Sequence, residues 1–147
     1  MRYSEPVHPV IAGFMLVIAV LIALPVNAMA QSKERIPVTV IIKMVDKSTA
    51  QWRFEPSNIT VSLGDTVRFV QEDIVPHNVE IVKAPKGSQI DDVKMGPFLL
   101  TLGQVYDLII DDDFALGIIQ YVCTPHVGLG MKGEIEVVES NQMQATK

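Results

Sequence analysis

Short runs that alternate apolar and polar residues are the feature that most constrains the fold of this chain. The first run begins near Pro37, and one of its faces carries Val38, Val40, Ile42 and Met44. Similar runs, separated by turn signals, follow at residues 58–70, 77–82, 98–110, 118–123 and 134–138. No segment of this part of the sequence has a convincing amphipathic helical period. The pattern predicts an all-β fold, an antiparallel β-sandwich of seven or eight short strands.

The N-terminal segment differs from the rest of the chain. An unbroken apolar run, Val10–Val26, is followed by Ala28-Met29-Ala30, the small-x-small pattern that leader peptidase cuts. This pattern predicts a signal peptide at residues 1–30 and a mature domain at residues 31–147, in the periplasm or at the extracytoplasmic face. An uncleaved membrane anchor is the alternative, because the run is about as long as the shortest membrane-spanning helices.

The charge and cysteine content narrow the possible functions. With 12 Lys and Arg against 17 Asp and Glu, the net charge is -5, which argues against a protein that binds nucleic acid through phosphate contacts. The single cysteine cannot form an intramolecular disulfide. Its thiol therefore serves either as buried packing or in chemistry.

That cysteine lies in a short segment with two other potential metal ligands. The segment Cys123-Thr-Pro-His126-Val-Gly-Leu-Gly-Met131 carries a thiolate, an imidazole and a thioether at the end of an apolar run. His77 starts an earlier run, and His8 lies in the signal segment, so His77 and His126 are the histidines of the mature chain. Two imidazoles and a thiolate with a weak axial thioether suit copper in both Cu(I) and Cu(II). We therefore predict one copper ion held by these four side chains.

Each candidate ligand also has a structural interpretation. A lone cysteine or methionine is commonly buried packing, and a lone histidine is commonly a hydrogen-bonded structural residue. The metal site is favoured because every histidine and cysteine of the mature chain falls into one pattern. Zinc is the weaker choice of metal, since methionine is rarely a zinc ligand.

Three motifs carry a family resemblance. They resemble segments of the cupredoxin, or type 1 blue-copper, family, especially plastocyanin and pseudoazurin. The motifs are Pro76-His77-Asn78-Val79-Glu80, the Cys-Thr-Pro-His-x4-Met segment and Gly133-Glu-Ile-Glu-Val. The likeness runs from about Phe54 to Glu139, although residues 83–96, which we predict to be a surface loop, do not align clearly. The resemblance implies a Greek-key sandwich with copper at one end, bound through the Nδ1 atoms of both histidines. It also implies that Asn78 supports the ligand loops and donates toward the cysteine sulfur.

The same resemblance implies a one-electron carrier between extracytoplasmic redox partners such as a cytochrome or a reductase. We expect a monomer that is not an enzyme and that associates with a membrane only if the N-terminal segment stays uncleaved. From the residues themselves, we expect the electron port to be an apolar collar near the surface made of Pro125, His126, Val127 and Leu129, although Val127 and Leu129 could instead pack inward.

Two other functions stay open from the sequence. One is a copper carrier or storage module, and the other is the electron-accepting subunit of a copper oxidase or reductase assembly. The acidic runs Asp91-Asp92 and Asp111-Asp112-Asp113 are more typical of solvated turns than of a steering surface for a basic partner. We assign Trp52 and Tyr121 to the core or its edge.

Overall fold

The computed structural model describes residues 35–46 and 51–140. Within these residues the chain forms eight strands and one short 3₁₀ helix at Thr124–Leu129. The strands are β1 (Thr39–Asp46), β2 (Trp52–Glu55), β3 (Asn58–Ser62), β4 (Thr66–Gln71), β5 (Glu80–Lys83), β6 (Val105–Ile109), β7 (Gly117–Val122) and β8 (Lys132–Val138).

The strands form two four-stranded sheets, in the orders β2-β1-β4-β6 and β3-β8-β7-β5. The predicted β-sandwich class is confirmed, but each sheet is mixed. β1 and β4 are parallel, as are β3 and β8, whereas the other neighbours are antiparallel. Parallel neighbours cannot be joined by a hairpin. After β2 the chain therefore passes to β3 in the other sheet before it returns to place β4 beside β1.

The core lies between the sheets and follows the alternation of the sequence. In β4, Val67 and Phe69 point inward and are fully buried. Phe69 meets Phe54 and Tyr121 edge to face, with ring centroids 5.9 Å and 5.4 Å away. Burying side chains of this size contributes roughly 1.5–3 kcal/mol each. The assignment of Tyr121 to the core is consistent with this packing.

A buried carboxylate holds the turn between β3 and β4, where the sequence predicts a break between two strands. Asp65 accepts hydrogen bonds from the backbone N–H groups of Val38 and Ser62, and it forms an ion pair with Arg35. Burial raises the pKa of this carboxyl, but these partners outweigh burial and leave its pKa below the usual value. The start of β1 is thereby tied to the turn.

The apolar run at residues 98–102 does not form the expected strand. The Gln104 side chain accepts hydrogen bonds from the N–H groups of Leu100 and Thr101 and so turns the chain. Leu99 alone is buried, and it pairs with His77 through two backbone hydrogen bonds of 2.8 Å and 3.2 Å. This isolated bridge fixes the backbone of His77.

Of the surface loop predicted at residues 83–96, Lys83 instead ends β5, and residues 84–96 are irregular but attached to the sheet. The Lys94 carbonyl accepts a hydrogen bond from Ile81, and Gly96 donates one to Val79. The segment therefore covers the free edge of β5, a common protection for an edge strand.

The predicted signal segment at residues 1–30 lies outside the described residues. Among the residues that are described, no helix is long and apolar enough to cross a membrane.

Candidate metal centre

The four ligand candidates lie at one end of the sandwich. His77 sits in the segment between β4 and β5, Cys123 directly follows β7, His126 belongs to the 3₁₀ helix, and Met131 directly precedes β8. His126 is 7% exposed, and the other three side chains are fully buried. Two chain segments that are distant in sequence therefore meet here.

Three of the four side chains direct donor atoms at one another. Cys123 Sγ lies 3.5 Å from His77 Nδ1 and 3.3 Å from His126 Nδ1, and the two Nδ1 atoms are 3.0 Å apart. The centre of this triangle is about 1.9 Å from each atom, close to the roughly 2.0–2.3 Å at which imidazole nitrogen and thiolate bind a first-row metal. The trio can therefore hold a metal ion without rearrangement.

Backbone hydrogen bonds close the loop Cys123–Met131 at its base. Cys123 N–H donates to the Met131 carbonyl at 3.1 Å, and Met131 N–H donates to the His126 carbonyl at 3.2 Å. Gly130 turns the chain with a φ of 88°, a left-handed conformation that glycine adopts without strain. Met131 is thus tied through its backbone to both neighbouring ligand candidates.

Burial favours the neutral form of both candidate histidine ligands. Burial lowers the pKa of His77, although Asp73 opposes this shift, and burial also lowers the pKa of His126. Neutral imidazoles offer lone pairs to a metal. Burial raises the pKa of the Cys123 thiol, in spite of hydrogen bonds to it from the backbone N–H groups of Asn78 and His126. Metal binding would therefore release the thiol proton.

The Asn78 side chain joins the His77 segment to the cysteine loop. Its Oδ1 accepts a hydrogen bond from Thr124 N–H at 2.8 Å, and its Nδ2 donates to Thr124 Oγ1 at 2.9 Å. The Thr124 hydroxyl in turn donates to a Glu80 carboxylate oxygen at 2.9 Å. Because Asn78 is fully buried, its amide group depends on this double bridge for its hydrogen bonds.

Two side chains contact the histidines without having been assigned a functional part from the sequence. Asp73 Oδ2 lies 3.4 Å from His77 Nε2, on the ring edge away from the donor trio. The Trp52 ring packs on His126, with centroids 4.3 Å apart and planes inclined by 34°. The position of Asp73 four residues before His77 is a local sequence signal for the contact between them. No local signal indicated the contact between Trp52 and His126.

The apolar collar proposed as an electron port lies at the surface. Val127 is 48% exposed and Leu129 is 61% exposed, and Pro125 is also exposed. The alternative in which Val127 and Leu129 pack inward is therefore wrong. The collar borders His126, which is nearly buried beneath it.

The acidic run at residues 111–113 lies far from this collar. It precedes β7, whereas Cys123 follows β7, so a full strand of roughly 20 Å separates them. Asp113 and Phe114 donate backbone hydrogen bonds to Asp111, which is the geometry of a tight turn. This placement favours a solvated turn over a surface that steers partners to the candidate site.

Comparisons with known proteins agree with the site. Residues 40–138 match the family model for copper binding proteins of the plastocyanin/azurin family. Plastocyanin of Prochlorothrix hollandica is 35% identical over 67% of this chain and 72% of its own. Plastocyanin of a Synechococcus strain is 37% identical over 67% of this chain and 73% of its own.

Solved structures show the same fold. A Sinorhizobium pseudoazurin is 31% identical, with a TM-score of 0.52 over 74% of this chain and 80% of its own. Oxidized plastocyanin from Dryopteris crassirhizoma superposes with a TM-score of 0.56 over 67% of this chain and 100% of its own, and at 23% identity it supports the fold alone. This chain therefore belongs to the plastocyanin/azurin family of copper-binding proteins, the cupredoxins, and its cofactor is copper.

Proposed function

We propose that this protein is a type 1 copper protein that carries single electrons between extracytoplasmic redox proteins. The observation that carries the proposal is the preformed trio of His77, Cys123 and His126, whose donor atoms lie 3.0–3.5 Å apart in a buried site. Bound copper supplies the one-electron couple between Cu(II) and Cu(I).

In this proposal the histidine Nδ1 atoms, the Cys123 sulfur and the Met131 thioether would hold the copper ion. Two imidazoles, one thiolate and a distant thioether are the donor set of blue-copper electron-transfer sites. Met131 is supported by its burial and by its place at the closed base of the loop.

The surroundings of the trio favour electron transfer over metal delivery. The loop is closed by backbone hydrogen bonds, and Asn78 joins it to the His77 segment. The geometry of a site held in this way changes little between the Cu(II) and Cu(I) states. The reorganisation energy of electron transfer is therefore small. A delivery or storage site would instead need its ligands open to an acceptor, whereas the Cys123 sulfur is fully buried.

Electrons would enter and leave through the exposed collar of Pro125, Val127 and Leu129 around His126. A small, partly apolar contact suits brief encounters with a cytochrome or a reductase, since transient redox complexes have the smallest interfaces. We propose a carrier rather than an enzyme. A catalytic copper site in addition to the electron-transfer site would need more histidines than the two of the mature domain.

The compartment follows from the N-terminal pattern. We propose that residues 1–30 direct export and are removed, which leaves a periplasmic domain of residues 31–147. Mass spectrometry of the exported protein locates its first residue. A mass that includes the apolar run Val10–Val26 would instead show a tethered protein.

The test of the function is the optical and electron paramagnetic resonance spectrum of the exported protein loaded with Cu(II). We expect an intense thiolate-to-copper band at roughly 600 nm with a narrow copper hyperfine splitting. Cys123→Ser should abolish both features. A colourless protein with ordinary Cu(II) spectra would refute the proposal.

A matched pair of methionine variants tests the axial ligand. Met131→Leu should change the reduction potential, because the axial ligand tunes it. Met44→Leu replaces another fully buried methionine, on β1, and should leave the potential unchanged. Equal potentials in the two variants would remove Met131 from the ligand set.

A further inference from the structure

Trp52 is the aromatic side chain placed against the candidate site. It opens β2, pairs across the sheet with Asp46, and is half-buried. Its ring centroid lies 4.3 Å from that of His126 and 6.5 Å from that of His77, the latter in an edge-on arrangement. The indole thus covers one face of His126 and touches His77 only at an edge.

The two histidines are held by different means. His77 has the Asp73 carboxylate at its Nε2 atom, which fixes the rotation of the ring. The hydrogen bonds that the structure gives to the ring of His126 are all within the donor trio, at its Nδ1 atom. The Trp52 ring lies on its face. The Trp52 ring therefore restrains His126, whereas the Asp73 carboxylate restrains His77.

Packing against the core places the indole. Its Nε1 atom is buried and has no hydrogen-bond partner among the residues that the structure describes. The indole ring lies on the imidazole of His126. An aromatic face attracts positive charge, and tryptophan does so most strongly.

We propose that Trp52 is a positioning residue for His126 that also favours the oxidised state of the site. This inference rests on the proposed function. The ring blocks rotation of the imidazole out of the donor trio. When His126 carries the greater positive charge of the Cu(II) state, the indole face stabilises it more than in the Cu(I) state. Trp52 therefore lowers the reduction potential.

The test compares three variants of the copper-loaded exported protein. Trp52→Leu removes the aromatic face, and Trp52→Phe retains a smaller one. Tyr106→Leu is the control, because it removes another partly buried aromatic side chain, stacked on Phe69 in the same sheet and not among the ring contacts of the histidines. The reduction potential and the electron paramagnetic resonance spectrum are measured for each variant.

We expect Trp52→Leu to shift the reduction equilibrium roughly threefold to tenfold toward Cu(I). Trp52→Phe should show a smaller shift than Trp52→Leu. Tyr106→Leu should show no shift in potential even if it lowers stability. Equal potentials for wild type and Trp52→Leu would overturn the inference, and so would an equal shift in Tyr106→Leu. If wild-type protein has no blue-copper spectrum, the proposed function fails, which is a distinct result.

Fluorescence gives a second readout that needs no redox reaction. Trp52 is the only tryptophan of the chain, so the emission of the metal-free protein reports on this position. One equivalent of Cu(II) should quench most of that emission as the blue band develops. Development of the band without quenching would show that Trp52 is not in contact with the site.

Discussion

Replacing Asn78 by alanine removes the side chain that joins the two segments of the candidate site. Two hydrogen bonds are lost, one from Thr124 N–H at 2.8 Å and one to Thr124 Oγ1 at 2.9 Å. The backbone N–H of Asn78, which donates to the Cys123 sulfur, stays in place. The substitution therefore tests the joint between the segments without removing a donor from the sulfur.

The expected loss of stability follows from these two hydrogen bonds and from the burial of Asn78. Each bond contributes about 0.5–1.5 kcal/mol net, and the Thr124 N–H that loses its acceptor adds a desolvation cost. Asn78 is fully buried, so its truncation also leaves a space in the interior. We expect Asn78→Ala to lower the free energy of unfolding of the metal-free protein by about 2–4 kcal/mol.

Thr124→Val is the matched control. It removes the hydroxyl bonds to Asn78 and Glu80 but keeps the Thr124 N–H bond to Asn78 Oδ1. Thr124 is exposed and its N–H bond stays, but the buried Asn78 Nδ2 loses its acceptor, so the cost should be about 1–2 kcal/mol. Urea unfolding followed by far-ultraviolet circular dichroism measures both variants. The reasoning is refuted if Asn78→Ala costs no more than Thr124→Val.

Other predictions concern a close approach, a buried charge and the His77 ring. Gly133→Ala should lower the free energy of unfolding by at least about 1–3 kcal/mol in urea unfolding, because a Cβ there would overlap the Ser57 carbonyl oxygen; a wild-type midpoint would contradict this. Asp65 has a lowered pKa in the fold, so its contribution to stability is complete above its usual pKa of 3.8 and is lost as the pH falls below that value. Unfolding of the metal-free protein measured between pH 5 and pH 2.5 should show this loss in wild type and less of it in Asp65→Asn; parallel curves would exclude it. Asp73→Asn keeps an acceptor for His77 but removes a negative charge that favours Cu(II), so voltammetry should show a higher reduction potential, and an unchanged or lower value would count against this electrostatic effect.

Much of the fold class and three of the four ligand candidates could be predicted from local patterns. Alternation in runs such as residues 66–71 indicates one buried face, and in β4 this face does point into the core. Cys123, His126 and Met131 lie within one short segment, so any tight loop brings them close together. Such features depend on neighbours in sequence, and a single sequence displays them directly.

The remaining features depend on how the strands pair. His77 reaches Cys123 across 46 residues. Trp52 in β2 reaches His126, which lies between β7 and β8 of the other sheet. Residues 98–102 have the composition of a strand, but the Gln104 side chain turns them. The sequence by itself determined the β class, the donor types and the cysteine loop, because these follow from local periodicity and spacing. Only the tertiary structure decided the parallel pairs, the approach of His77 and the stack on His126, because these contacts depend on strand order and register between distant segments.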